Sequence, residues 1–217
     1  MIDITACMNK LAQKRPVFTS EADFQFSLAW EIKSSYSDSE VILEYIPRYN
    51  RNVHIDILVV VEGGFIPIEL KYKTRGTDNI AVNGIQYHLK NHGAKDVNCY
   101  KYLYDIQRIE EFRDKGDSFV EGYTIFITNE MSYKKAPTKK DCVYAAFSLE
   151  EGITKTGNMD WSPEASEGTK KGCENPINLA GTYLIHWDDY SCIDTSKEGT
   201  FIWTMAKIKA TEPSLTP

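Results

Sequence analysis

Two carboxylates and a lysine lie within the most apolar part of the chain. Asp56 interrupts the run HIDILVVV, and Glu69 and Lys71 follow in the run FIPIELKYK, with Gly63-Gly64 between the two runs. Apolar, β-branched residues on both sides of a glycine pair predict two strands joined as a hairpin. Two carboxylates beside an ammonium group are suited to hold a divalent cation and to stabilise charge that develops on a substrate.

The predicted hairpin places the three charged side chains on one face of a sheet. A two-residue loop at Gly63-Gly64 sets Asp56 opposite Lys71, with Glu69 on the diagonal. Because side chains alternate between faces along a strand, the three share a face while the opposite face is apolar. A carboxylate buried there is unfavourable unless it is paired or binds metal. The pattern therefore predicts a metal site, and its structural alternative is a salt bridge between Asp56 and Lys71.

The ligands predicted for this cation are oxygens, which indicate a hard metal ion. Carboxylates such as Asp56 and Glu69 favour Mg²⁺, with Mn²⁺ as its substitute, over zinc. The five cysteines are scattered without a CxxC spacing and indicate reduced thiols rather than a zinc or disulfide framework. The sequence also lacks the motifs of NTP-driven, serine-hydrolase and NAD-dependent chemistry.

The spacing of Asp56 and Glu69-Leu70-Lys71 resembles the motif of the PD-(D/E)xK, or restriction-endonuclease-like, nuclease superfamily, with Ile55 in place of the leading proline. The resemblance implies that Asp56, Glu69 and the backbone carbonyl of Leu70 bind Mg²⁺, and that Lys71 assists the attacking water. The runs RPVFTSEADFQFSLAWEI, IELKYKTR, CYKYLYDIQRIE, YTIFITNE and WDDYS also resemble a widespread, uncharacterised bacterial family of this superfamily, over about residues 15–206.

The activity implied by the resemblance is that of a metal-dependent endonuclease or exonuclease. Such an enzyme hydrolyses phosphodiester bonds, and DNA is the expected substrate and partner. The alternative is a catalytically silent module of the same fold that binds nucleic acid or a protein partner. A net charge of −6 favours the module mildly, whereas the intact Asp, Glu and Lys set favours the enzyme.

Five further residues are candidates for the same site. Superfamily members often add a glutamate from the first helix, which implies Glu21 as a fourth catalytic residue, although the helix dipole alone explains an acid in a first turn. Gln25 shares the helical face of Glu21 at i+4. We assign Gln25, Lys73, Arg75 and Arg108 to nucleic-acid contacts. For Lys73, Arg75 and Arg108 the alternative is a solvated surface position.

The bulk properties indicate one globular domain over residues 1–217, with a core at about 20–130 and a C-terminal elaboration at about 140–207. No apolar run reaches membrane-spanning length, and the first residues lack the apolar region of a signal peptide. We therefore expect a cytoplasmic protein without membrane partners. The sequence leaves a homodimer open.

The predicted fold class is α/β (α+β), with a central mixed sheet flanked by helices. The core order is helix, three strands, helix, strand, as in restriction-endonuclease-like proteins, followed by extra C-terminal strands. We predict helices at 21–34 and 97–112, strands at 41–49, 122–129, 143–149, 182–187 and 201–206, and a long connection at 74–96 with a short helix at 85–90. In the first helix we expect Phe24, Leu28 and Ile32 to form the core stripe, with Phe26 and Trp30 widening the apolar surface.

The segment 151–179 is rich in Gly, Ser, Lys and Glu and has few large apolar residues. Its apolar anchors are Trp161, Ile177 and Leu179, so little burial offsets the entropy lost on ordering it. We predict an irregular, mobile excursion that borders the substrate cleft and offers Lys170 and Lys171 to phosphates.

Overall fold

The computed structural model describes residues 2–116, 118–139 and 142–211. Within them the elements are α1 (Ile4–Lys14), α2 (Glu21–Ser35), β1 (Glu40–Tyr45), β2 (Ile55–Val61), β3 (Gly64–Lys73), β4 (Thr77–Val82), β5 (Ile85–Leu89), α3 (Lys95–Lys115), β6 (Glu121–Thr128), β7 (Thr154–Met159), α4 (Glu167–Lys170), β8 (Ile177–Leu184), β9 (Trp187–Cys192) and β10 (Thr200–Lys209). The predicted core order is therefore present with one insertion, the β4–β5 hairpin before α3, and it is preceded by α1, which we did not predict.

The fold is α+β, built on a central mixed sheet of six strands in the order β1-β2-β3-β6-β10-β9. Strands β3 and β6 run parallel, and the other neighbouring pairs run antiparallel. Helices α1 and α2 pack on one face, and α3 packs on the other. Strand β6 lies between these layers and is buried along its whole length, as its continuous apolar run predicts.

Helix α2 begins and ends where the sequence indicates. The Ser20 side chain accepts a hydrogen bond from the Asp23 N–H at 3.1 Å, which caps the helix. Phe24, Leu28 and Ile32 are fully buried, as predicted. Our expectation that Phe26 and Trp30 widen this apolar surface is wrong, because their side chains are 62% and 76% exposed. The sheet covers only one stripe of the helix, and these two residues lie outside it.

The hairpin between β2 and β3 forms, but its turn differs from the prediction. Val61 pairs with Gly64 and Ile57 pairs with Ile68, so Glu62-Gly63 forms the two-residue turn. Gly64 belongs to β3 and has a φ of +144°. A Cβ atom on Gly64 would lie 1.7 Å from the Ser118 carbonyl oxygen. The close approach of a distant loop therefore fixes the turn, and the local sequence does not contain this information.

The predicted opposition of Asp56 and Lys71 is consequently wrong. Continuing the observed register by one residue sets Asp56 opposite Glu69 instead. The pairing is displaced by an even number of residues, and side chains alternate with a period of two. Asp56, Glu69 and Lys71 therefore still share one face, which is the face covered by α3.

Other elements correct the prediction. The connection at 74–96 contains the β4–β5 hairpin with an Asn83-Gly84 turn, rather than a helix at 85–90. Both turn residues have positive φ, which is typical of Asn-Gly hairpins. Residues 143–149 contain a 3₁₀ turn at Ala145–Phe147 rather than a strand. The predicted strand at 182–187 spans the end of β8 and the start of β9, whereas β10 lies where we predicted a strand.

The segment 151–179 is more regular than predicted. It contains β7, α4 and the start of β8, and β7 pairs with β8 antiparallel. Trp161, Ile177 and Leu179 are all buried in the cluster that covers the outer side of α3. These anchors supply the burial that we judged insufficient to order the segment.

Among the described residues, no helix combines the length and the apolar character needed to cross a membrane.

We predict that Gly64→Ala lowers the free energy of unfolding by about 2–4 kcal/mol, because the added methyl group meets backbone atoms at a φ that alanine rarely adopts. Urea denaturation measures the change. Gly93→Ala is the control, since a Cβ atom on Gly93 meets nothing within 4 Å, and its effect should stay within about 0.5 kcal/mol. Equal unfolding midpoints for the two variants would contradict the prediction.

Candidate active site

The sheet opens where β2 and β3 stop pairing. Their ladder ends at Ile57 and Ile68, whereas β3 continues beside β6 as far as Lys73. Beyond Ile68, the edge of β3 that faced β2 has free backbone groups. A buried N–H needs a partner, so other groups must replace the missing strand.

Two predicted site residues take over this role. Asp56 Oδ2 accepts the Leu70 N–H at 2.7 Å, and Glu21 Oε2 accepts the Tyr72 N–H at 2.8 Å. The N–H and C=O of one residue in a strand point to the same edge, so the Leu70 carbonyl also lies at this opening. The Lys71 ammonium donates to that carbonyl at 3.2 Å. The opening thus gathers predicted site residues from α2, β2 and β3.

Helix α3 covers the charged face of β3 with two charges of its own. The Lys71 Nζ lies 2.5 Å from Asp105 Oδ2. The Arg108 guanidinium lies 3.0 Å from Glu69 Oε1 and 3.2 Å from Asp105 Oδ1. The side chains of Glu69 and Asp105 are only 2% and 4% exposed. Four buried charges therefore alternate in sign between the strand and the helix.

Sequence reasoning missed Asp105. Its signal is the spacing along α3, since Tyr102 three residues before and Ile109 four residues after are both buried. This spacing puts a carboxylate on the apolar face of a helix, where an unpaired charge is unfavourable. The criterion of a charged residue at an apolar position also identifies Asp56 within β2. Asp105 could therefore have been predicted from the sequence.

The structure places Arg108 in the charged cluster and not on a solvated helix face. Its side chain is 18% exposed, and the guanidinium also donates to the His54 carbonyl. Arg108 lines the cleft above Lys71, so it stays available to an anionic ligand only if the ligand competes with Glu69 and Asp105.

The remaining predicted contacts differ in their accessibility. Gln25 is buried and donates to the Asp56 carbonyl and to Glu44, both at 2.7 Å. Gln25 therefore holds β2 in place and does not face a ligand. Lys73 lies 2.8 Å from Glu21 and is 18% exposed, whereas Arg75 lies 3.3 Å from Glu198 and is 51% exposed. Arg75 is the most accessible of the four predicted nucleic-acid contacts.

A strained backbone residue stands beside the site. Glu44 of β1 is flanked by the pairs Leu43–Ile57 and Tyr45–Ile55, which sets it opposite Asp56. Its φ is +53°, a conformation that a non-glycine residue keeps only when its surroundings fix it. The hydrogen bond from Gln25 supplies such a constraint.

Burial and charge shift the pKa values of the site in opposite directions. Burial raises the pKa of Asp56 to about 6, although Lys71 and the Leu70 N–H oppose the change. Burial, Asp105 and Asp56 together raise the pKa of Glu69 well above its usual range. Burial would lower the pKa of Lys71, but Asp105 and Glu21 outweigh it and raise that pKa. Lys71 therefore stays protonated and positively charged. The two predicted metal ligands with carboxyl groups, Asp56 and Glu69, lose their protons at a higher pH than free carboxyl groups do.

The pKa of Glu21 changes the other way. Burial would raise it, yet Lys71 and Lys73 outweigh burial and lower the pKa of this carboxyl group. Glu21 is therefore ionised across the neutral range.

The residues present fit a hard divalent cation. Across residues 2–116, 118–139 and 142–211, no three His, Cys, Asp or Glu side chains converge in a typical metal-binding arrangement. Mg²⁺, however, is commonly bound by one or two carboxylates and completes its shell with water. Asp56 and Glu69 supply two carboxylates, and the Leu70 carbonyl adds a third oxygen. Glu69 Oε1 and Asp105 Oδ2 are buried without a well-aligned hydrogen bond from any described residue, but each already lies within ion-pair distance of Arg108 or Lys71, so a metal ion at Glu69 would compete with Arg108.

A cleft of about 290 Å³ lies above this cluster. Its lining residues are Lys71, Tyr100, Lys101, Tyr104, Asp105, Arg108 and the loop 172–175. The last part of the segment 151–179 therefore lies beside Lys71, and its role at a substrate cleft stays a prediction. Lys170 and Lys171 line a neighbouring depression, which shares Glu174 with the cleft.

Comparison of the chain with protein-family models, with curated protein sequences and with solved structures gave no match.

We predict that, without divalent cations, Asp56→Asn becomes more stable relative to the wild type as pH rises from about 4 to about 7. Because the pKa of Asp56 is raised to about 6, the stability of the wild type is fully present below the ordinary pKa and declines as Asp56 ionises. The difference in pKa corresponds to at most about 3 kcal/mol. Urea denaturation in EDTA over this pH range measures it.

Glu21→Gln is the control of opposite sign. The pKa of Glu21 is lowered, so its ionised form stabilises the protein above the ordinary pKa of glutamate and this contribution is lost as pH falls. The variant should become less stable relative to the wild type as pH rises through the same range. Parallel profiles for the two variants would overturn the assignment.

Proposed function

We propose that this protein is a Mg²⁺-dependent nuclease with a restriction-endonuclease-like fold that hydrolyses phosphodiester bonds, with DNA as the expected substrate. The observation that carries the proposal is the opening of the sheet at β3. Asp56, the Leu70 backbone and Lys71 contact one another there, Glu69 lies on the same face of the sheet, and Lys71 lines a cleft. This set combines oxygen ligands for a hard cation with a fixed positive charge.

Each residue has a distinct role in this proposal. Asp56, Glu69 and the Leu70 carbonyl hold the cation. The chemistry that a bound Mg²⁺ would supply is polarisation of a phosphoryl oxygen and activation of water. Lys71 keeps its proton because Asp105 and Glu21 raise its pKa. It therefore stabilises negative charge on the phosphoryl oxygens and does not act as a general base.

Asp105 and Glu21 act as positioning residues. Asp105 holds the Lys71 ammonium at 2.5 Å, which directs it toward the opening. Glu21 holds both Lys73 and the Tyr72 N–H at 2.8 Å, and so fixes β3 beyond its last contact with β2. Ordering these groups in advance reduces the reorganisation required when a substrate binds.

Local charge explains how an acidic protein could bind a polyanion. Near the opening, the four carboxylates of Asp56, Glu69, Asp105 and Glu21 face three cationic side chains, Lys71, Lys73 and Arg108. Glu44, which lies opposite Asp56, is a fifth carboxylate, so two formal negative charges are left over and a divalent cation neutralises them. The overall charge of −6 is then a poor guide to the potential in the cleft.

A binding module without catalysis is the second candidate. The observation that favours it is the pairing of Arg108 with Glu69 and of Lys71 with Asp105. These ion pairs already neutralise carboxylates that a metal would need. A cation must therefore compete with Arg108 for Glu69, and the competition can be measured directly.

We predict that Asp56→Asn, Glu69→Gln and Lys71→Met each reduce Mg²⁺-dependent cleavage of DNA at least about 100-fold, because each removes a ligand or a charge needed in the transition state. These near-isosteric changes preserve the volume of each side chain. Glu69→Gln and Lys71→Met each remove the charge that pairs with Arg108 or Asp105, so urea denaturation checks that each variant stays folded. Cleavage of single-stranded, duplex and supercoiled DNA with Mg²⁺ or Mn²⁺ is the assay. Lys209→Met, at an exposed strand end, is the control and should cleave like the wild type.

Calorimetric titration with Mn²⁺ separates the enzyme from the module. The enzyme requires that wild-type protein binds Mn²⁺ and that Asp56→Asn weakens this binding. Arg108→Gln should strengthen it, since the guanidinium no longer competes for Glu69. Absence of Mn²⁺ binding to the wild type, or binding that Asp56→Asn leaves unchanged, would favour the module.

A further inference from the structure

Three aromatic rings form a stack that ends at the cleft. The rings of Trp161 and Tyr100 have centroids 5.7 Å apart and planes 18° apart. Those of Tyr100 and Tyr104 are 6.1 Å and 12° apart. Nearly parallel planes at these distances are offset stacks. The first two rings are buried, and Tyr104 is 40% exposed and lines the cleft with Lys71 and Arg108.

The stack is held rigidly by the opposite wall of the cleft. The Tyr100 hydroxyl donates to the Asn175 carbonyl at 2.8 Å, and the Trp161 indole N–H donates to the Cys173 carbonyl at 2.7 Å. The Phe147 ring also packs edge-on against Tyr100 and Trp161. The outer ring thus rests on a fixed platform, unlike an isolated tyrosine on a solvated helix.

Charges around Tyr104 suit a phosphate on one side of the ring. Lys101 lies one turn earlier on α3 and Arg108 one turn later, and both line the cleft. Glu174 lines the opposite wall and repels phosphate from the loop. A nucleotide whose phosphate lies near Lys71 and Arg108 would therefore present its base to Tyr104.

We infer that Tyr104 is a stacking site for an unpaired nucleobase next to the scissile phosphate, so the preferred substrate is single-stranded. This inference rests on the proposed nuclease function. Bases in a duplex have both faces covered by their neighbours, so an aromatic ring inside a cleft can stack only on a base that has left the helix. Stacking on an aromatic side chain is tolerant of sequence, which favours recognition of strandedness over recognition of a particular site.

The test is equilibrium binding without cleavage. A fluorescently labelled single-stranded 12-mer and the matching duplex are titrated with protein in EDTA and again in Ca²⁺, and anisotropy gives the affinities. Tyr104→Ala should weaken single-strand binding about tenfold, in line with the loss of one stacked base. Tyr104→Phe and Tyr104→Trp should bind like the wild type. Trp30→Ala removes an exposed aromatic on α2 and should have no effect.

Binding to the duplex is the comparison for binding to the single strand. The wild type should bind the duplex more weakly than the single strand, and Tyr104→Ala should leave that affinity within about twofold, because no base reaches the ring. Equal loss for both probes, no loss for the single strand, or no binding to either overturns the inference.

The inference and the nuclease proposal fail separately. Single-strand binding that depends on Tyr104, without Mg²⁺-dependent cleavage, would refute the nuclease proposal and support the stacking site. Mg²⁺-dependent cleavage, together with equal single-strand affinity in the wild type and in Tyr104→Ala, would support the nuclease proposal and refute the stacking site.

Discussion

Burial of unlike charges between β3 and α3 is the interaction on which the rest of the structure depends. Glu69 and Lys71 project from the strand into an interface that is otherwise apolar, and each buried ion loses several kcal/mol of hydration. Asp105 compensates by pairing with Lys71 at 2.5 Å, and Arg108 by pairing with Glu69 at 3.0 Å. Loss of one member leaves an unpaired buried charge, which lowers the free energy of unfolding by about 3–5 kcal/mol. The pairing therefore fixes α3 on the sheet and fixes the candidate catalytic groups at the same time.

The early end of the β2–β3 ladder explains why a site exists beside this interface. A continued ladder would use the Leu70 N–H and carbonyl in strand pairing and would leave no opening. Because β2 diverges, Asp56 and Glu21 replace it with side-chain oxygens at 2.7 and 2.8 Å. A carboxylate that accepts a backbone N–H keeps further lone pairs for a cation. The same two residues thus complete the strand and remain competent as ligands or positioning groups.

The sequence predicted which residues share a face but not how the strands align. Side chains alternate between the two faces of a strand, so an error of two residues in the register does not change which face a residue occupies. Asp56, Glu69 and Lys71 were therefore placed on one face correctly, although the predicted register was wrong. The observed register places Gly64 against Ser118, which lies far away in the chain, and a local pattern does not contain such a contact. The Asn83-Gly84 turn, by contrast, is a local signal that we overlooked, as is Asp105 within the apolar spacing of α3. Phe26 and Trp30 show the converse limit, since apolar character alone does not say which stripe of a helix meets the sheet.

One helix carries both halves of the proposed recognition. Asp105 and Arg108 of α3 form the charged floor of the cleft, and Tyr104 between them and Lys101 forms the aromatic wall. Their relative positions are set by helical geometry, and the helix is itself held by the buried ion pairs. The loop 172–175 closes the other side through hydrogen bonds to the same aromatic stack. Binding to a cleft ordered in this way requires little loss of side-chain entropy. In the proposed function, the loop 172–175, which lies beyond the predicted core, would therefore contribute to selectivity by bracing the platform, while the chemistry would stay on β2 and β3.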